Sequence, residues 1–133
     1  MIYVLRHRPG AQFDHIEPAG FRILSALDQA TQVCQTDLMI TSGTDSHAGG
    51  AHPVGDAYDV SVIGLSADQI EAVYTFLTVT LGTLFTVLYE VPKVPSDPTL
   101  HHIAYVNAHA TGPHLHIQRN KGTVYPPQAP MVA

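Results

Sequence analysis

The sequence predicts an α+β fold, a compact single domain over residues 1–133 with two helices and a largely antiparallel sheet. Two segments repeat apolar residues at helical spacing. Others alternate with a period of two, and short turns containing Pro and Gly join the late strands. A chain of 133 residues buries roughly 65–70% of the surface its unfolded form exposes, enough for one core without staples. No repeat or domain boundary divides it.

Residues 2–5 are β-prone and end at Pro9-Gly10, which predicts a short strand or extended arm. From Pro18 to about Cys34, Phe21, Leu24, Leu27, Thr31 and Cys34 fall on one stripe, and Pro18 suits a helix start. Leu38-Met39-Ile40, between polar ends at Asp37 and Thr41, predicts a short buried strand. Ser42 to Gly55 holds four glycines, two histidines and Pro53, which resists regular structure and predicts a long functional loop. Tyr58, Val60 and Val62 then alternate with Asp59 and Ser61, a strand with Asp59 on its polar face. Ser66-Ala-Asp-Gln69 forms a capping box ahead of Ile70, Val73, Tyr74, Leu77 and Leu81, a second helix ending at Gly82. Leu84–Val91, Ile103–Val106 and His114–Gln118 read as strands, for four or five in all, and Pro126–Ala133 as an extended tail.

Composition narrows the function. Net charge is −5 with only six Lys and Arg, which argues against a nucleic-acid partner, since phosphate binding needs clustered cations. No apolar run reaches the ~20 residues of a membrane span. The first residues lack the apolar core of a signal peptide, so the expected location is the producer's cytoplasm, release by lysis, or carriage in a phage particle. Cys34 is the only cysteine, which excludes an internal disulfide or a cysteine-built zinc site. Nine histidines, seven of them between His47 and His116, replace part of the missing charge and point to a site there.

The chemistry concentrates in two motifs. In His52-Pro-Val-Gly55-Asp-Ala57-Tyr-Asp59, a loop histidine precedes a strand carboxylate by seven positions, and Gly55 lets the chain turn so that both converge. In His114-Leu115-His116 two imidazoles two residues apart share a strand face. One can bind a metal while the other works beside it. Two histidines and an aspartate make a three-ligand zinc set with a fourth position open, the pattern of catalytic zinc. Such a metal brings bound water within reach of neutral-pH ionisation. His109, in the loop leading into His114, is a candidate pocket residue.

Ser42-Gly43, His52-x-x-Gly55-x-Ala57-x-Asp59 and a late His116 resemble the zinc D-Ala-D-Ala peptidase family, grouped with lysostaphin-type peptidases and Hedgehog domains. The resemblance covers residues 38–118, and Thr111-Gly-Pro-His-Leu-His-Ile117 is also similar to the closing motif of lysostaphin-type enzymes. It implies a compact Hedgehog/DD-peptidase-like α+β fold, one Zn2+ per chain held by His52, Asp59 and His116, and hydrolysis of a cell-wall peptide bond. Its implied partner is peptidoglycan.

Three positions depart from that pattern. Asp45 stands where the family places a substrate-binding arginine, which tilts the expectation from carboxypeptidase towards endopeptidase and leaves Asp45 as a candidate substrate-facing residue. Gly50 replaces a common serine. Pro113 stands where many relatives carry the general-base glutamate. His114 is the candidate base instead, because it shares a face with His116 and an imidazole's unperturbed pKa of ~6.5 suits acid–base work. Glu90 and Asp45 are the other carboxylates available, while strand alternation reads Glu90 as a solvated face. The alternative function is a non-catalytic zinc-binding module of the same fold.

Overall fold

The computed structural model describes residues 2–14, 16–43 and 56–127. Among them the chain forms β1 Leu5–His7, α1 Pro18–Val33, β2 Leu38–Ser42, β3 Ala57–Ser61, α2 Ala67–Leu81, β4 Phe85–Val91, β5 Ala104–Val106 and β6 His114–Arg119. A 3-10 turn at Pro98–Leu100 precedes β5. The strands make one sheet in the order β1-β2-β3-β6-β4-β5. No helix among the described residues is long and apolar enough to cross a membrane.

The two helices and the α+β class agree with the sequence reading; the strand count and sheet type do not. The described sheet has six strands and is mixed. Its central pairings β2–β3, β3–β6 and β6–β4 are antiparallel, but each edge is parallel, β1 on β2 and β5 on β4. Parallel neighbours need a crossover of about a dozen residues or more. Helix α1 supplies one between β1 and β2, and the stretch from 92 to 103 with its 3-10 turn supplies the other. That second connection looked like a simple turn in the sequence.

The first strand lies later than residues 2–5. Val4 N–H is held by the Asp37 carboxylate at 2.9 Å, and the β2 ladder begins at the Leu5–Leu38 pair. Pro18 opens α1 as expected, but the buried stripe is rotated from the large apolar residues. Ala19, Ile23, Ala26, Leu27, Ala30 and Thr31 face inward, whereas Phe21 is 60% exposed. Alanines permit close approach to α2 and the sheet, and a periodicity weighted by bulk overlooks them. Burying Ile23 and Leu27 completely contributes about 1.5–3 kcal/mol each before entropy is counted.

In α2 the expected capping box is present: Ser66 Oγ accepts from Gln69 N–H at 3.1 Å and Gln69 Oε1 accepts from Ser66 N–H at 2.8 Å. The helix ends at Gly82, whose φ of 75° most side chains avoid. Its buried residues are Ile70, Val73, Leu77 and Leu81.

Both helices pack against each other, α1 also against β3 and β6 and α2 against β4. Tyr58, Val60, Leu115, Ile117, Val87 and Tyr89 supply the sheet's contribution to that core. Since successive strand residues alternate faces, Asp59, Ser61, His114, His116, Gln118 and Glu90 all project from the other side. The ion pair of half-buried Arg119 with buried Asp56, 2.7 Å at Nη2–Oδ2, fastens the end of β6 to the residue just before β3. Register between the two strands that carry the site is thereby tied at one end.

Gly43 follows β2 directly, and a Cβ there would collide with the main-chain carbonyl oxygen of Gln12. A carbonyl in packed backbone yields less readily than a side chain, so Gly43→Ala is expected to destabilise the fold by about 1–3 kcal/mol. Thermal unfolding of the variant measures it; an unchanged midpoint would show that the 8–14 segment moves freely.

Candidate metal centre

The polar face gathers the sequence-predicted residues by register. Asp59 in β3 lies directly opposite His116 in β6, and His114, two residues earlier in β6, lies between Ser61 of β3 and Glu90 of β4. Directly opposed Cβ atoms are about 4.5–5.5 Å apart, so these side chains meet without any loop having to deliver them.

His116 Nδ1 is 2.8 Å from Asp59 Oδ1 and its Nε2 is 2.8 Å from Gln118 Oε1. His114 Nε2 is 3.0 Å from Glu90 Oε1 and 3.7 Å from Asp59 Oδ1, while its Nδ1 is 3.0 Å from the Gly112 carbonyl oxygen. A carbonyl only accepts, so His114 Nδ1 carries a proton and Nε2 is the nitrogen turned to the carboxylates. Glu90 Oε2 also accepts, at 3.4 Å, from Asn107 Nδ2. All four ionisable side chains are 16–18% exposed, reachable from solvent but largely screened from it.

Burial alone would lower the pKa of His116, since it disfavours the charged ring. The hydrogen bonds to Asp59 and Gln118 and the charges of Asp59 and Glu90 outweigh it, and the pKa is raised above the ordinary imidazole value. The surroundings thus favour positive charge on the ring, where the zinc reading puts a cation.

Two clefts adjoin these groups. One, of about 300 Å3, is lined by Asp59, Glu90, Asn107, His109, His114 and His116; the other, of about 450 Å3, shares Asp59 and His114 and is walled by Arg8, Thr41, Ser61 and Thr111. Volumes in this range accommodate a small ligand or a few residues of a peptide.

The structure thus brings together Asp59, His114 and His116, and sets His109 on the rim of the same cleft. His52 and Asp45 lie outside the described residues, as does Gly50. Among the described residues alone no group of three His, Cys, Asp or Glu side chains is arranged to hold a metal. Gln118 emerges as a site residue that sequence reasoning did not name. Glu90, read there as a candidate base but more readily as a solvated face, is drawn into the site by the register that sets it opposite His114.

The donor chemistry at Asp59 and His116 fits a zinc ion. Tetrahedral zinc ligands at ~2.0–2.1 Å from the metal lie about 3.3 Å from one another. The two facing atoms are 2.8 Å apart across a shared proton, so a small outward movement exchanges that proton for a cation. The chain matches no family model, no curated protein and no solved structure.

Proposed function

We propose that this domain is a zinc-dependent hydrolase of cell-wall peptides, of the D-Ala-D-Ala peptidase type and Hedgehog/DD-peptidase-like fold that the sequence motifs resemble. The observation that carries the reading is the facing pair of His116 Nδ1 and Asp59 Oδ1, beside a second pair, His114 and Glu90, free of the metal role. Asp59 and His116 would hold the ion together with His52. When bound, zinc supplies a Lewis acid that polarises the scissile carbonyl and acidifies water.

The chain's own residues would manage the proton. His114 Nε2 and Glu90 Oε1 stand 3.0 Å apart, so either is placed to take a proton from water and deliver it to the leaving amine. The Gly112 carbonyl orients the His114 ring. At 16–18% exposure these groups are partly screened from water, which strengthens each of these interactions. His109 and the hydroxyls of Ser61 and Thr111 line the space a peptide would occupy.

The test is metal content and product. Protein produced with added zinc is expected to hold about one ion per chain, and to release new amine termini from purified peptidoglycan. Absence of stoichiometric zinc overturns the reading. Zinc without new termini at several pH values leaves the binding module instead.

The pH dependence has a definite sign. Zinc must displace the His116 proton, so the raised pKa makes affinity fall from a higher pH than an unperturbed imidazole would as the solution is acidified. In the metal-free protein the same shift acts the other way. It stabilises the fold below the unfolded-state pKa and the contribution is lost as pH rises through the folded one. Zinc retention that is flat down to about pH 4, well below the imidazole range, would point to other ligands.

A further inference from the structure

We propose that Gln118 is a positioning residue that selects the ring nitrogen through which His116 meets the metal. The inference rests on the zinc reading above and adds a residue that neither the motifs nor the resemblance assigns. An imidazole offers a metal only one nitrogen at a time, and the choice is set by what the other nitrogen bonds. In this centre the two nitrogens have different partners at the same distance, Nδ1 at 2.8 Å from the Asp59 carboxylate and Nε2 at 2.8 Å from the Gln118 amide oxygen.

An amide oxygen accepts and never donates, so the ring must present a proton at Nε2 to satisfy it. A protonated nitrogen has no lone pair to give. Nδ1 faces an acceptor as well, so its proton is the one that a cation placed between His116 and Asp59 would displace, which puts the lone pair on the nitrogen that faces Asp59. Gln118 reaches Nε2 because it stands two residues beyond His116 on the same strand and so on the same face. Its neighbours across the sheet are Ala57, with no polar side chain, and Thr86, whose hydroxyl is engaged by Asn120. No donor on those two side chains competes for the amide.

The experiment compares Gln118→Met, which keeps length and removes the acceptor, with Gln118→Glu, which keeps the acceptor. Direct titration with zinc alone is expected to show affinity lowered about 10–100-fold in Gln118→Met and restored in Gln118→Glu. In zinc-loaded wild type, 1H–15N correlation of the His116 ring is expected to place the proton on Nε2. Wild-type affinity in Gln118→Met, or Gln118→Glu as weak as Gln118→Met, overturns the inference while leaving the zinc reading intact. So does a proton on Nδ1, a result that needs no variant to fold. A wild type that binds no zinc removes both.

Discussion

His116→Ala is expected to lose stoichiometric zinc, and His114→Ala to keep it. The two rings stand on one strand face two residues apart, yet their partners differ in kind. His116 shares its proton with Asp59 at 2.8 Å, the other described ligand of the proposed set, whereas His114 is 3.7 Å from that oxygen and 3.0 Å from Glu90. Removing His116 takes away one of three protein bonds to the ion in the proposed set, together with the 2.8 Å hydrogen bond to the Asp59 carboxylate. A hydrogen bond to a charged group contributes about 1.5–3 kcal/mol, which is lost even without metal.

Removing His114 leaves the proposed ligands in place and deletes the ring that stands 3.0 Å from Glu90, a loss of ~10²–10⁴ in rate. Thermal unfolding with and without zinc separates the cases without any substrate. A metal at 1,000 times its dissociation constant stabilises the folded state by about 4 kcal/mol, so zinc should raise the midpoint of wild type and His114→Ala and not of His116→Ala. The opposite pattern means that the ligand and the base have been exchanged. Zinc binding and activity surviving in both variants would remove the strand from the site, and the hydrolase reading with it.

How far the sequence carried depends on the range of the interaction. Local devices were legible: the Ser66–Gln69 capping box, the stop at Gly82 and the two faces of β3 depend on residues a few positions apart. The facing of Asp59 and His116 was legible by motif, because both lie on polar faces of their strands although they are 57 positions apart. Pairing partners were not. That β6 inserts between β3 and β4 is decided by core packing of Tyr58, Leu115, Ile117 and Val87 across three strands, and no window of sequence contains it. Three site features follow from that insertion. It brings Glu90 to His114, runs Gln118 past the β3 end of the centre, and brings the Arg119–Asp56 ion pair together across the two strands. The parallel edges escaped for a related reason, since a crossover and a turn of similar composition look alike until their ends are paired.

The sharpest consequence of that insertion is Glu90. Reading β4 alone, with Phe85, Val87, Tyr89 and Val91 buried, makes Glu90 a solvated residue whose replacement changes stability by no more than about 0.5 kcal/mol. The paired sheet makes it 18% exposed and 3.0 Å from His114 Nε2. Glu90→Gln preserves size and can still meet both the His114 ring and the Asn107 amide, but it cannot accept a proton and hold it. Activity on peptidoglycan is therefore expected to fall ~10²–10⁴-fold, with zinc stoichiometry and the unfolding midpoint near wild type. Asp59 already faces His116, so it is poorly placed to take over the proton. Wild-type rates in Glu90→Gln would return Glu90 to the solvated face and leave His114 to act alone.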